Sequence, residues 1–471
     1  MRTFLAARES RWTAAVLLIV APVVVTLAVT MWRTPYPVTE AVALFEDAAR
    51  ASSPARFWVP ETSYYRPLFH TTLWAIWHAD SSLDTKLALV KVVHIAPILL
   101  MVVVFVWGLR PRTARDAAAA ALATAVLIGS AGLRDNLELP LAYTAMAMPI
   151  AVIVWMLMNQ EPRIWRTAAI IALCLIAIGF KEQGLVLIPI VIVAWWMGAP
   201  GATRTAALTI AAIGVAYVAM RLHWRGRWPL FEQSLGLGFS IVEASDATVR
   251  FGSFPYFVFA YNSAATIANV LFSEPTSGLF YTIRDIVSNA MQSWRIINLL
   301  SSIALTGAIA WWGVSSLKGG RQAWTADSRL FVAMVLALLG CGALSFDYSR
   351  DRLGGMAIPF YALAAFPAVR ALSDRVAVAP RRVFLTGTVA LVALAVAWQI
   401  RAIGTIEWTR RFARRNEIEW LVELVPRRSE FADRHVYLEI MEQMIAQGMQ
   451  PGTPRPTRYP DSIARTMVPP Q

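Results

Sequence analysis

Charge is scarce in this sequence: Asp, Glu, Lys and Arg together make up 15% of its 471 residues, where a soluble domain carries about a quarter. A water-soluble fold of this make-up has too little polar surface to cover itself, and a string of ordinary soluble domains is excluded. Cysteine is scarcer still. Cys174 and Cys341 both sit inside apolar runs and read as small core residues, which excludes a disulfide framework and a thiolate metal site. No set of residues has dependable metal-ligand spacing, and no tandem repeat or long low-complexity tract is visible. A basic stripe interleaved with aromatics is missing from every polar segment, so nucleic acid is not the expected partner. What is abundant is apolar: 57% hydrophobic residues and a mean hydropathy of +0.52, clustered into stretches of bilayer-spanning length. The composition describes an all-α polytopic membrane protein whose first partner is membrane lipid.

The first run, Trp12 to Trp32, holds no charge and follows Arg2, Arg8 and Arg11. Its length and the lack of a small-residue cleavage pattern make it a retained first helix with a cytoplasmic N-terminus, not a signal peptide. Further runs cover roughly 84–109, 117–133, 139–158, 167–180, 185–199, 205–220, 251–273, 296–317, 330–346, 353–369 and 383–400. Arg110, Arg112 and Arg115, then Arg163 and Arg166, then Arg204, fall in alternate loops, which places those loops inside and 33–83, 134–138 and 181–184 outside. In the second half, a spanning 251–273 would put Lys318, Arg321 and Arg329 outside, against the same bias. If that run lies in the interface or re-enters, those residues come inside together with Arg370, Arg375, Arg381 and Arg382. The second version is preferred: about 11 crossings (10 to 12) and an external C-terminus. The chain then divides into a transmembrane domain over 1–400, with 33–83 as a long first external loop, and a polar tail over 401–471. The tail reads as partly helical over Trp408–Val425 and then Pro-rich. Residues beyond about 440 are expected to pack little.

Ionisable groups at span ends are informative because each is costly at hydrocarbon depth. The first external loop carries Glu40, Glu46, Asp47, Arg56, Arg66 and His70, and Arg66 to His78 reads as a surface helix opened by Pro67. A second cluster is Arg134-Asp135-Asn136 with Glu138. A third is Lys181-Glu182-Gln183 between Gly179-Phe180 and Gly184, and Arg350-Asp351-Arg352 forms a late polar hinge. All are expected on the external face. The bland readings stand beside these: Lys181–Glu182 as a helix-packing ion pair, His94 as a packed residue, and the tryptophans at 74, 77, 195, 196, 311 and 312 as interface-belt residues.

The long loop after helix one, followed by Tyr64-Tyr65-Arg66-Pro67-Leu68, resembles polytopic glycosyltransferases of the GT-C type. The resemblance is greatest to the protein O-mannosyltransferase-like branch with tetratricopeptide repeats. Phe180-Lys181-Glu182-Gln183-Gly184…Pro189 and Tyr348-Ser349-Arg350-Asp351-Arg352 before Pro359 are similar to the Lys-Glu and late Arg segments of that branch. The repeats themselves are absent, so a protein acceptor is not inherited. The resemblance implies a sugar donor on a polyprenyl phosphate, transferred at the external face of a bacterial-type inner membrane.

The residues then sort by chemistry. Glu40, or the adjacent Glu46-Asp47, would take the acceptor's proton; Glu40 is preferred because Ala41, Leu44 and Phe45 form a short helix behind it. Arg66, Lys181, Arg350 and Arg352 would bind the donor phosphate. His70, Arg134, Asp135, Glu138 and Glu182 would support the cavity. The chemistry also admits a divalent cation shared with the phosphate. A non-catalytic GT-C-like scaffold is the alternative, as is a transporter or flippase of a lipid-linked substrate. The second predicts repeated halves that the sequence does not show.

Overall fold

The computed structural model describes residues 2–34, 40–59, 65–138, 143–225, 234–237, 240–243, 246, 249, 256–272, 278–291, 293–318, 324–346, 348–349, 351–418, 420 and 425–448. Its helices are α1 (Arg2–Arg33), α2 (Glu40–Arg50), α3 (Pro67–Trp77), α4 (Leu83–Leu109), α5 (Ala114–Gly129), α6 (Ala131–Glu138), α7 (Tyr143–Met158), α8 (Ile164–Phe180), α9 (Leu187–Trp196) and α10 (Arg204–Arg225). They continue as α11 (Tyr256–Phe272), α12 (Gly278–Val287), α13 (Ser293–Leu317), α14 (Ala326–Ala343), α15 (Ile358–Ala377), α16 (Arg381–Ile418) and α17 (His435–Gly448). The bundle is all-α as expected; beside it, the four-residue β1 (Ser234–Leu237) pairs antiparallel with β2 (Ser240–Glu243).

Among the described residues six helices are long and apolar enough to cross a membrane: Arg11–Arg33, Leu83–Leu109, Arg204–Trp224, Arg295–Leu317, Ala326–Ala343 and Arg381–Asn416. A seventh is added if α5 and α6, bent by 55° at their junction, count as one span. Local signals set the ends. Thr113 and Asp116 close a capping box at the start of α5, Ser82 accepts from the Thr85 amide at the start of α4, and Arg110 in left-handed conformation ends α4. At the centre, the Ala-rich α5 is buried along most of its length and packs between α15 and α16. Small side chains allow that close approach, the usual basis of helix packing where water drives nothing. On the outside of α16, Val389, Val392, Val396, Ile400 and Ile403 are exposed, a face suited to lipid.

The bundle has two chemically different ends. At the basic end, Arg115 pairs with Asp374 at 3.0 Å and an Arg329 Nη donates to Asn159 at 3.3 Å. The Arg375 guanidinium lies 4.3 Å from the Trp311 ring centre. Lys318 and Arg329 therefore share an end with Arg110, Arg112 and Arg166. At the loop end, α3 packs against α2 and α8, and α6 packs against the turn at 351–354. α11 starts at this end, where Asn262 donates to the Phe346 carbonyl at 3.1 Å. The chain leaves α10 and begins α13 at the loop end as well.

The tail differs from the expectation. α16 runs unbroken through the anticipated boundary at 400–401, and α17 buries Val436, Tyr437, Ile440 and Met441 in a second apolar core with α2 and α3. Packing therefore continues past residue 440, because α17 repeats apolar residues at 436, 437, 440 and 441 on one face. Residues 449–471, the Pro-rich part, lie outside the described residues.

Single-cysteine labelling in a background lacking Cys174 and Cys341 checks the arrangement. Asp80→Cys should react with an impermeant reagent in intact cells, whereas Arg112→Cys and Lys318→Cys should react only after permeabilisation. Labelling at 318 without permeabilisation would overturn the placement of the second half.

Candidate active site

The loop end is organised where α3 meets α8. Pro67 takes the first helical position of α3, and Arg66 caps it with a non-helical backbone. Leu68 presses on Gly179 so closely that a Cβ there would come within 2.6 Å of the Leu68 side chain. α8 then ends at Phe180, and the chain turns back on itself, the Gly184 amide donating to the Lys181 carbonyl at 2.8 Å. A Cβ on Gly184 would meet the Ala177 carbonyl carbon at 2.4 Å, so only glycine fits. These two close approaches carry Glu182 to Arg66. Arg66 Nε donates to both carboxylate oxygens at 3.1 Å, and the side chains are only 11% and 19% exposed.

An aromatic wall flanks the pair. His70 stacks on Phe57, centroids 5.1 Å apart and planes 16° off parallel, while Phe69 meets it edge-on. Trp58 Nε1 donates to Thr71 at 3.1 Å, and the Tyr65 hydroxyl donates to the Trp58 carbonyl at 3.2 Å. Tyr65 in turn faces Tyr217 of α10 at 6.2 Å. Burial raises the Tyr65 hydroxyl above its ordinary value, with the Arg221 cation pulling the other way. Burial, reinforced by the Arg66 cation, lowers His70 to about 4, while Asp47 and Glu182 pull it up. Nδ1 of His70 is buried and has no hydrogen-bond partner among the described residues. The imidazole is therefore neutral at ordinary pH.

The other clusters knit a floor. The Asp135 carboxylate accepts from the Arg352 amide at 2.8 Å, Asn136 donates to the carbonyl of Gly132 at 2.6 Å, and Gln183 donates to the carbonyl of Leu353 at 2.7 Å. α6, the turn at 182–186 and the turn at 351–354 are thus stitched together through backbone groups. Asp135 is a structural acceptor here. Lys181 and Arg134 are both buried at this end, and so is Arg221 at the end of α10.

The acids of the first loop separate into three situations. Glu46 is buried, accepting from Arg50 Nε at 2.8 Å and from the Val436 amide at 2.9 Å. It faces the C-terminal helix, because one turn of α2 turns that face into the second core. Asp47, one residue on and rotated by about 100°, pairs with Arg56 at 3.1 Å, and both are substantially exposed. Glu40 opens α2. Its side chain, those of Glu138 and Asp351, and Arg350 as a whole lie outside the described residues. Sequence reasoning passed over Tyr217 and Arg221. An arginine closing an apolar run has the look of an interface anchor, and only the fold brings it to Tyr65. Among the described residues no three His, Cys, Asp or Glu side chains gather as a metal would require.

The chain is, on this geometry, a polytopic helical membrane protein with a polar, cation-rich site at one end. No protein-family model matches the sequence, and no curated protein matches it. Among solved structures, the crystal structure of ArnT from Cupriavidus metallidurans bound to undecaprenyl phosphate is similar over 92% of this chain and 77% of that chain, with 14% identity and a TM-score of 0.42.

The state of His70 gives a pH prediction. Its folded value, about 4, lies below the unfolded 6.5. The unfolded chain therefore binds the extra proton first as pH falls, and stability is full above 6.5 and lost through the window down to 4. Between pH 7 and pH 5 the loss should be about 2 kcal/mol. His70→Phe, which keeps the stack on Phe57 and removes the titrating nitrogen, should flatten that part of a denaturation profile in lipid nanodiscs. An equally steep acid loss in the variant would exclude His70 as its source.

Proposed function

We propose that the chain is a GT-C-type glycosyltransferase that moves a sugar from a polyprenyl-phosphate-linked donor to an acceptor at the external face of the membrane. One observation carries the reading: Arg66 and Glu182, from the two short segments that resemble the family, pair at the bundle end opposite the basic loops. The positive-inside rule makes the basic end cytoplasmic and the loop end external. A lipid-linked donor reaches such a site from the outer leaflet, with its phosphate at the depth of Arg66 and Lys181.

In the proposed reaction an acceptor hydroxyl attacks the anomeric carbon, and the bond from that carbon to the phosphate oxygen breaks. The phosphate keeps the electron pair, and the hydroxyl proton passes to a carboxylate of α2. Asp47 or Glu40 takes that proton; Glu46, held by Arg50 and Val436, does not. Arg66, Lys181, Arg350 and Arg352 supply positive charge for the departing phosphate, with Arg221 added from α10. A planar guanidinium suits two phosphate oxygens at once, and preorganised charge is most effective where water is excluded. His70, Arg134, Asp135, Glu138 and Glu182 support these groups.

The test is turnover by the purified protein in lipid, with a panel of polyprenyl-phosphate sugars and hydroxyl acceptors. Whichever of Glu40→Gln and Asp47→Asn removes the base should lose about 100-fold or more in kcat. Arg66→Lys, which keeps the charge and loses the planar fork, should raise the KM for donor by about tenfold. Normal turnover in both acid variants, with the proteins monodisperse, would remove this loop from the chemistry. Absence of transfer from every donor by the wild-type chain would overturn the reading itself.

A further inference from the structure

α2 is too short to hold its shape alone. It has 11 residues, and isolated helices below about 12–15 are marginal in water. Its apolar face (Ala41, Val42, Phe45 and Ala48) is fully buried. On one side it meets α3, with Phe45 and Trp77 rings 5.4 Å apart. On the other it meets Trp420, Val436, Tyr437, Ile440 and Met441 of the C-terminal segment. Within that segment Phe431 stacks on Tyr437 at 5.3 Å. Polar contacts lock the junction. Glu46 accepts from the Val436 amide at 2.9 Å, in the first turn of α17, and from Arg50 at 2.8 Å. The Arg50 guanidinium also reaches the Asp433 carbonyl, and Gln443 reaches Asp84 at the start of α4. A helix's first amides need acceptors and favour negative charge, and Glu46 supplies both from 390 residues away.

We infer that Glu46 is a positioning residue, and that it clamps α17 onto α2 so that the acid-bearing side of α2 is held over the Arg66–Glu182 site. Neighbouring residues on a helix point about 100° apart. Fixing Glu46 toward α17 therefore fixes Asp47 toward Arg56 and the His70 wall, and fixes where α2 begins at Glu40. The C-terminal helix is in this way a part of the active end, acting through α2 without touching substrate. This inference rests on the function proposed above, but the clamp itself has a readout independent of it.

Three variants separate a clamp from a base. Glu46→Gln keeps an oxygen for the Val436 amide, Glu46→Ala removes it, and Val436→Pro removes the donor at a helix position that tolerates proline. Val436→Ala, which keeps the amide, controls for the lost side chain. Hydrogen exchange on the full-length protein in nanodiscs should show α2 amides losing protection about tenfold or more in Glu46→Ala and Val436→Pro, and much less in Glu46→Gln and Val436→Ala. Turnover should follow the same order, with kcat falling and the KM for donor little changed because Arg66 and Glu182 are untouched. A base at position 46 would instead make Gln as inactive as Ala and leave Val436→Pro active, which would overturn the assignment. Unchanged α2 protection in both Glu46→Ala and Val436→Pro would overturn the clamp, whether or not any transfer activity has been found. Lost protection with no wild-type transfer would sustain the clamp and reject the glycosyltransferase reading.

Discussion

Arg66 and Glu182 come from segments 116 residues apart and meet at 3.1 Å, mostly out of water. Removing one partner of a buried pair typically costs about 3–5 kcal/mol, while replacing both by apolar groups is often neutral. The pair is therefore better understood as a fixing of geometry than as a source of stability. It requires glycine at 179, where Leu68 presses in, and at 184, where the backbone folds onto Ala177. It seats α3 on α8. The 54–58 turn and its Phe57–His70 stack follow from α3, as does one side of the apolar packing around α2.

The bilayer then explains why polar groups elsewhere are arranged as they are. Charges that cannot sit at hydrocarbon depth collect at the two ends, and the ends differ in kind. The basic end is tied by exposed pairs such as Arg115–Asp374, which are worth little individually. The loop end is tied by side chains bonded to backbone: Asp135 to the Arg352 amide, Gln183 to the Leu353 carbonyl, Glu46 to the Val436 amide. Contacts of the second type hold loops in fixed relation to one another, which a reaction centre needs and an anchoring surface does not.

Much of this could be read without coordinates. The positions of the six long apolar helices follow from hydropathy, because an uninterrupted apolar run has few other uses. Arg66, Lys181 and Glu182 are conspicuous as charges at span ends. The part that could not be read is long-range. Glu46 and Asp47 are adjacent and alike in sequence, and only the arrival of α17 from near the end of the chain makes one a structural acceptor and leaves the other beside Arg56. Arg221 and Tyr217 lie on an ordinary-looking apolar helix, and their closeness to Tyr65 belongs to the packing of α10. The partner that fixes Asp135, the backbone amide at 352, is likewise invisible in a linear reading.

The contact between Glu46 and Val436 also ties the two ends of the described chain together. α2 follows α1 and lies at the loop end, and α17 meets it there. The helices between them therefore return the chain to the end of the bundle from which α2 set out, and a carboxylate near the start of the chain is bonded to an amide near the end of its described part. The loop end is in this way built from both halves of the sequence, and its geometry depends on the packing of every helix that lies between.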